Sequence, residues 1–439
     1  MTSEQQQNPR NISLLTATCI VVANMIGTGV FTSLGFQVVD IKSGFALLFL
    51  WFLGGVLALC GALAYGELGA SMPYNGGEYY YLSRIYHPAI GFLSGWVSVT
   101  VGFAAPIAAA AMALAKYLTQ VFPFLHSTSI ALVVVAGVSL VHTNNLRIGS
   151  YFQQFFTFLK VLLIVVLIVC GLYLAEPQQL SFLPSIADKT TIFSSTFAVA
   201  LVYVIYSYSG WNAAIYLASE VKNPEKNLPR ALIMGTLIVV VLYLLLNFIF
   251  LYSTPLDKLA GQLEVGYIAA DQIFGSRGSK IMGILISLGL ISSISSMVLA
   301  GPRVTEVIGK DIPLFKLLAR KNAQGIPTYA IFLQLLLVTI LLVTASFEAI
   351  ITYLGFTLTL SSFLTALGVF VARFKYPDLA RPYRTWGHPA TTIIFLAINL
   401  WILVFIFRDK PAESLAGLAT LLVGLFVYFI SAKDQLKVP

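Results

Sequence analysis

Charged residues are scarce in this chain of 439 residues: lysine, arginine, aspartate and glutamate make up 10% of it, while apolar residues make up 58%. Soluble domains carry about 25% charged residues, so the composition excludes an ordinary soluble globular domain. Cysteine is equally scarce, and Cys19, Cys60 and Cys170 all fall within apolar stretches, which predicts no disulfide framework. The chain is expected to lie in a membrane.

Motifs of enzymes and of nucleic-acid-binding proteins are also missing. The sequence has no His, Cys, Asp or Glu cluster at metal-ligand spacing, no nucleophile elbow and no phosphate-binding loop. We therefore expect no enzymatic activity, no metal site and no cofactor. A nucleic-acid partner is not expected either, because no loop is long enough to build a basic face.

Apolar runs that are long enough to cross a bilayer recur along the whole chain. A hydrocarbon core of about 30 Å needs about 20 helical residues. Long apolar blocks favour helices over barrel strands, so the sequence predicts an all-α, polytopic membrane protein of about twelve transmembrane helices. The predicted spans are 13–38, 44–72, 89–118, 128–143, 150–174, 192–219, 230–253, 278–300, 326–345, 348–372, 390–409 and 412–431.

The positions of the basic residues predict the orientation of these spans. Most of the 26 lysines and arginines fall on the side of the membrane that holds the N-terminus, which is the cytoplasmic side under the positive-inside rule. The first residues lack the apolar core of a removable signal peptide. We expect a multi-pass protein of the cell (inner) membrane, with cytoplasmic tails at residues 1–12 and 432–439.

Two of the predicted spans contain glycine near the middle of the membrane. Residues 24–31 read NMIGTGVF, and residues 206–212 read YSYSGWN. Close helix packing alone would explain either segment, and that alternative stays open. The two segments nevertheless lie in span 1 and span 6, which occupy corresponding positions in two five-span halves. Interrupted helices at matching places indicate a substrate site near the midplane.

An unwound helix exposes backbone groups that suit a zwitterion. Free N–H groups of the half-helix that follows attract an anion, and free carbonyl groups of the half-helix that precedes attract a cation. An α-amino acid carries both charges close together, and main-chain binding would leave its side chain to set selectivity.

Four stretches of the sequence resemble the amino acid-polyamine-organocation transporters, and among them the L-type amino acid transporters and their bacterial relatives. They are 26–31 (IGTGVF), 65–69 (YGELG) running into 73–79 (PYNGGEY), 208–212 (YSGWN) and 220–230 (EVKNPEKNLPR). The resemblance implies the LeuT-type fold, with helices 1 and 6 broken. It implies a transport core at 13–372, built from inverted repeats at 13–174 and 192–372, and peripheral helices at 390–431.

The resemblance also implies roles for individual residues. The substrate carboxylate would meet the N–H groups of Thr28 and Gly29, and the ammonium would meet the carbonyl groups of Met25, Tyr206 and Ser209. Tyr206 takes the place of an aromatic gate that is usually phenylalanine, so its hydroxyl needs a partner. The expected substrate-binding set is Met25, Ile26, Gly27, Thr28, Gly29, Tyr206, Ser207, Ser209 and Asn212.

Lys160 interrupts the apolar fifth span. A lysine at that depth costs roughly 2.5 to 3.5 kcal/mol and should have oxygen partners, although a lysine that snorkels to the interface is the alternative. In L-type relatives the lysine at this position occupies the region that holds sodium in sodium-coupled members. We therefore expect Lys160 to bind unwound carbonyl groups near Gly27 and to make sodium unnecessary.

Several residues keep two interpretations. Glu67 is either a proton-handling carboxylate or, more in line with its position at the end of span 2, a capping or pairing group. Asn212 either holds the broken helix or contacts substrate. The serines of span 8 either line a site or pack helices: Ser292, Ser293, Ser295 and Ser296.

The sequence thus predicts a sodium-independent secondary transporter of L-amino acids, working by alternating access as an exchanger or a proton-coupled permease. Neutral substrates are favoured because no acidic residue lies beside either break. The alternatives are a transporter of cationic amino acids or polyamines and, more remotely, a membrane nutrient sensor. Animal relatives pair with a partner through a cysteine after span 3; residues 119–127 hold none, so no disulfide-linked heavy subunit is expected.

Overall fold

The structure, a computed structural model, describes residues 10–144 and 147–435, and side chains outside 144–154 and 432–435. Helices dominate, and no extended strand occurs in the described ranges. The α-helices are α1 (Leu14–Met25), α2 (Gly29–Asp40), α3 (Gly44–Ser71), α4 (Glu78–Ile85), α5 (Pro88–Val97), α6 (Ala104–Val121), α7 (Ser127–Asn144), α8 (Arg147–Leu174), α9 (Ile186–Ile192), α10 (Ser195–Tyr208), α11 (Pro224–Ser253), α12 (Leu256–Leu259), α13 (Val265–Asp311), α14 (Thr328–Thr344), α15 (Phe347–Lys375), α16 (Ala390–Asp409) and α17 (Pro411–Gln435). A π-helical turn at Ser98–Gly102 and 3-10 segments at Ala213–Glu220 and Pro313–Ala319 complete the described elements.

Among these residues, ten helical segments are long and apolar enough to cross a membrane, and α7 and α14 provide two shorter apolar helices. The prediction of an all-α, multi-pass membrane protein is confirmed. The predicted cytoplasmic tails, 1–12 and 432–439, lie largely outside the described residues.

Apolar runs in the sequence do not predict the short helices that connect the membrane segments. Helices α4, α9 and α12 are short and lie between the membrane segments. Helix α13 reaches Asp311, well past the predicted end of span 8. Beyond its apolar stretch the helix carries charged residues: Glu306 pairs with Lys310 of the same helix at 2.5 Å and with Lys321, outside the helix, at 2.9 Å. A search for hydrophobic runs stops where such a polar extension begins.

The two broken spans lie beside each other. Helix α1 packs against the 3-10 segment Ala213–Glu220 and α2 packs against α10, so each half of span 1 meets the opposite half of span 6. Helices α3 and α11 enclose this pair on one side, and α6 and α8 pack against α13 on the other. The interior around the breaks is therefore built from several different membrane segments.

Candidate functional site

The first break lies between α1 and α2. Helix α1 ends at Met25, Ile26 leaves the helical conformation with ψ 87°, and α2 begins at Gly29. Glycine disfavours a helix by about 1 kcal/mol relative to alanine, and two glycines flank Thr28 here. The last carbonyls of α1 and the first amides of α2 have no partner within their own helices.

The second break follows α10. Ser209 takes an extended conformation with ψ 150°, and Gly210 has φ +97°, a region that favours glycine. The 3-10 segment Ala213–Glu220 then continues the chain. Because these residues turn away from helical geometry at mid-span, span 6 is interrupted as the sequence predicts.

The two breaks touch through their glycines. A Cβ atom on Gly29 would lie 2.4 Å from the Cα atom of Ser207, and one on Gly210 would lie 2.8 Å from the carbonyl carbon of Asn24. Gly27 differs, since its nearest neighbour would be the Met25 oxygen at 4.0 Å. Gly29 and Gly210 thus allow close backbone contact, whereas Gly27 borders open space.

A cavity of about 470 Å³ connects the two breaks. Its lining includes all but one of the predicted binding residues: Met25, Gly27, Thr28, Gly29, Tyr206, Ser207, Ser209 and Asn212. Ile26 is the exception; it is fully buried, and its carbonyl group is used by Lys160. The structure therefore brings the predicted residues from span 1 and span 6 together around one space.

One end of the cavity reaches Arg303, Val307 and Tyr79. The opposite side is closed by contacts of α2. The Gly261 amide donates to the Gly35 carbonyl at 2.8 Å, and the ring of Phe36 stacks on Tyr203 and Phe347 with centroids 5.1 and 5.7 Å away. The cavity thus borders the protein surface at the exposed residues Arg303 and Val307, and no residue of α2 after Gly29 lines it.

Two carbonyl groups that were predicted to hold the ammonium already accept internal hydrogen bonds. The Met25 carbonyl accepts from the Tyr243 hydroxyl at 2.7 Å and from the Gly27 amide at 2.8 Å. The Tyr206 carbonyl accepts from the Ser209 hydroxyl at 2.7 Å and the Ser209 amide at 3.0 Å. A carbonyl oxygen has two lone pairs, so a bound ammonium would displace a donor at either group.

Tyr206 supplies a direct link between the breaks. Its hydroxyl forms a hydrogen bond with the Thr28 hydroxyl, both groups are buried, and the ring lines the cavity. The sequence had left this hydroxyl without an assigned partner. Thr28 fills that need from the middle of the first break.

Lys160 reaches the first break from α8. Its Nζ atom donates to the Ile26 carbonyl at 2.7 Å and to the Ser293 hydroxyl at 3.1 Å, and the side chain is 3% exposed. These contacts place the ammonium group inside the protein instead of at a membrane surface. Its stem packs against Gly289 of α13, where a Cβ atom would lie 3.0 Å from Cγ of Lys160.

Glu67 is paired within the scaffold. Arg373 donates to its carboxylate through Nε at 2.8 Å and Nη2 at 2.6 Å, and the Thr385 amide and hydroxyl donate at 2.7 and 2.8 Å. Arg381 lies 3.7 Å away. Glu67 does not line the cavity. This geometry fits the pairing interpretation of Glu67.

The four serines of α13 that the sequence singled out differ in whether they line the cavity. Ser293, Ser295 and Ser296 line the cavity, whereas Ser292 does not. Ser293 binds Lys160, and the Ser295 hydroxyl lies 2.8 Å from Nε2 of His142. This His142 contact was not expected, since a histidine near a span end carries no spacing signal.

Sequence reasoning missed two further features of the cavity wall. The π-helical turn Ser98–Gly102 widens span 3 beside the cavity, and such turns are frequent at functional sites. Glu78 also lines the cavity, although it is 6% exposed. Its signal was present in the sequence: it directly follows two glycines in the stretch 73–79.

Comparison with known proteins decides the family. The family described as "Amino acid permease" matches residues 12–430, which is nearly the whole chain. This chain belongs to the amino acid permease family. The family and the similar proteins are transporters, so the permease is a membrane transporter of amino acids and not an enzyme.

Relatives from bacteria and animals align over almost the full length of the permease. The serine/threonine exchanger of Bacillus subtilis (strain 168) is 27% identical over 98% of both chains. The b(0,+)-type amino acid transporter 1 of Mus musculus is 28% identical over 96% of this chain and 88% of its own. The large neutral amino acids transporter small subunit 2 of Rattus norvegicus is 28% identical over 98% of this chain and 82% of its own.

Proposed function

We propose that this permease is a sodium-independent transporter of neutral L-amino acids, which it moves by exchange through alternating access. The observation that carries the proposal is the shared cavity of the two broken spans, with Lys160 bound to the carbonyl of the first break. Two similar proteins are named for serine and threonine exchange and for large neutral amino acids.

The first amides of α2 support a carboxylate site. Thr28 and Gly29 lie where α2 begins, line the cavity, and present the positive end of the helix dipole to it. In the proposal, these amides bind the substrate carboxylate, and the carbonyls of Met25, Tyr206 and Ser209 bind its ammonium. The ammonium replaces a donor at Met25 or Tyr206, and Tyr206 acts as the gate over the substrate.

Lys160 supports independence from sodium. Its ammonium group already supplies a positive charge beside the Ile26 carbonyl and the Ser293 hydroxyl, two oxygen ligands of the type that a bound sodium ion would use. A second cation beside this ammonium would meet like-charge repulsion at low dielectric. In the proposal, Lys160 therefore replaces a coupling sodium ion.

The orientation of the cavity belongs to the same proposal. With the N-terminus in the cytoplasm of a cell membrane, the open end at Arg303 faces the cytoplasm, and the sealed side at Gly35 faces outward. The structure then corresponds to an inward-facing state. The proposed transport core spans 13–372, with inverted repeats at 13–174 and 192–372 and peripheral helices at 390–431.

Uptake by proteoliposomes tests the function. Purified permease would be reconstituted with unlabelled L-serine or L-leucine inside, and uptake of the same labelled amino acid measured in sodium chloride and in choline chloride. We expect equal uptake in the two salts and strong stimulation by internal substrate, with liposomes lacking protein as the control. Uptake that needs sodium would contradict the role of Lys160, and uptake indifferent to internal substrate would contradict exchange.

Cationic substrates form the second candidate. Two acidic residues, Glu78 and Glu220, line the cavity, and each would favour a cationic side chain in its ionised form. Labelled L-lysine and a labelled polyamine would be compared with L-leucine in the same assay. Preference for lysine would replace the neutral assignment, and preference for the polyamine would also remove the carboxylate site.

We further propose that the permease functions without a disulfide-linked heavy subunit.

A further inference from the structure

Glu78 is a buried carboxyl group without a basic partner. The Tyr65 hydroxyl donates to its Oε1 atom at 2.6 Å, and Nδ2 of Asn212 donates to the same atom at 3.3 Å. None of the ion pairs among the described residues involves Glu78. Burial of an ionised carboxylate is costly unless a cation or several donors compensate it.

The loop that ends at Glu78 holds the second half of span 6. Oδ1 of Asn75 accepts a hydrogen bond from the Ser219 amide at 2.9 Å. Gly77 packs against the ring of Tyr216, where a Cβ atom would lie 2.6 Å from the ring. Glu78 makes the third contact through Asn212. Loop 75–78 therefore fastens the 3-10 segment Ala213–Glu220 at its start, middle and end.

The groups that face Glu78 are neutral. Tyr65 projects from α3, Tyr216 from the 3-10 segment and Ser361 from α15. Removal from water raises the pKa of the Glu78 carboxyl more than the hydrogen bonds from Tyr65, Ser361 and Asn212 lower it. Burial in this contact thus shifts the carboxyl toward its neutral form.

We infer that Glu78 is a proton-binding group of this transporter, because it is buried beside the cavity with no basic residue to pair with it. The inference rests on the proposed transport function and adds a proton as a second ligand. Loss of the proton leaves a buried carboxylate that accepts hydrogen bonds from Tyr65 and Asn212 but has no cation beside it. Its charge then attracts water or a substrate ammonium to this wall of the cavity. Transport therefore depends on pH through Glu78.

Glu78→Gln tests the inference because glutamine keeps the shape of the neutral acid and cannot ionise. Exchange of a labelled neutral amino acid would be measured in proteoliposomes at equal internal and external pH. From about pH 5.5 to about pH 8, we expect the wild-type rate to change at least about fivefold, as for a single titrating group. The Glu78→Gln rate should vary less than about twofold over that range. Glu220→Gln is the matched control, since it removes the other cavity carboxylate and should retain the wild-type pH profile.

A second readout uses thermal stability in detergent. A carboxyl group whose pKa is raised by folding binds its proton more tightly in the folded state, so its contribution falls as the pH rises through the folded pKa. The melting temperature of the wild type should therefore decline with rising pH relative to that of Glu78→Gln. A wild-type pH profile of exchange in Glu78→Gln, or a pH-insensitive wild type, would overturn the inference. Removal of the pH dependence by His142→Gln, with Glu78→Gln unchanged, would transfer the role to the histidine. If the wild type transports no amino acid at any pH, the proposed function itself fails.

Discussion

Glu67 and Glu78 are both buried glutamates near the same end of α3, yet their surroundings are opposite. Glu67 accepts two hydrogen bonds from Arg373 and two from Thr385, and it lies away from the cavity. Glu78 lines the cavity and accepts hydrogen bonds from the neutral Tyr65 and Asn212. We therefore assign Glu67 to the stability of the scaffold and Glu78 to a change of protonation state during transport.

The largest effect is expected at Glu67. Glu67→Gln leaves Arg373 and Arg381 without their carboxylate, and removing one partner of a buried ion pair costs about 3 kcal/mol or more. Glu78→Gln removes no ion pair and should change the unfolding free energy by less than about 1 kcal/mol. Thermal denaturation of both variants in one detergent at neutral pH measures the difference. Equal losses would remove the distinction between the two glutamates.

Lys160 extends the comparison to a positive charge at the first break. Lys160→Met keeps the volume of the side chain but removes the donor to the Ile26 carbonyl, which costs about 1 to 3 kcal/mol when the group stays buried. Exchange should fall at least about tenfold, since about 1.4 kcal/mol corresponds to a factor of ten. Ser293→Ala is the control, because it preserves the contact with Ile26 and should lose less. A fully active Lys160→Met would return Lys160 to a packing role.

Gly29 and Gly27 also differ in their surroundings: Gly29 packs against span 6, and Gly27 borders open space in the cavity. A Cβ atom on Gly29 would meet the Cα atom of Ser207 at 2.4 Å, so Gly29→Ala disturbs the packing of the two breaks. Gly27→Ala meets no such contact and adds a methyl group to the cavity. We expect Gly29→Ala to lower the melting temperature, and Gly27→Ala to leave it unchanged while raising the KM for substrate severalfold. A KM unchanged by Gly27→Ala would place the substrate away from the first break.

Gly27 allows a clearer test of the first break than Gly29 does. From the sequence, a bulky residue at Gly29 is expected to abolish binding without affecting insertion. The contact with Ser207 shows that the same change also disrupts the junction between span 1 and span 6. Loss of binding in such a variant would not separate the two causes. Gly27, which borders open space, gives the sharper experiment.

Tyr206 should give the smallest effect. Tyr206→Phe keeps the ring that lines the cavity and removes the hydrogen bond to Thr28, which contributes about 0.5 to 1.5 kcal/mol. We expect exchange to persist with a KM changed by less than about tenfold. Thr28→Val in the same assay removes the other hydroxyl and should have a similar effect. A complete loss of exchange in Tyr206→Phe would assign the hydroxyl a direct contact with the substrate.

The sequence predicts the parts of the site that disturb an apolar helix. Glycines in the middle of a span are costly in a membrane, and so is a lysine such as Lys160 within an apolar run. Both therefore stand out in the sequence. The family resemblance adds the expected roles of Thr28 and Tyr206, and the structure places these residues around one cavity. Those roles remain proposals that transport measurements must test.

Features that depend on distant contacts do not stand out in the sequence. Glu78 lies in a polar loop, where a glutamate is ordinary, and its burial arises only when loop 75–78 packs against Tyr216 and Asn212. The internal donors to the Met25 carbonyl come from a tyrosine on α11 as well as from the break itself. The last turns of α13 carry the ion pair between Glu306 and Lys321, which lies beyond the end of the helix. No local pattern reports such pairings.

Competition by amino acid esters tests the zwitterion site between the two breaks most directly. Proteoliposomes in sodium-free buffer would take up a labelled neutral L-amino acid in the presence of the unlabelled amino acid or its methyl ester. We expect the free amino acid to compete and the ester, which lacks the carboxylate charge, to be weaker by at least about tenfold. Equal competition by the ester would contradict binding of a carboxylate by the amides of Thr28 and Gly29.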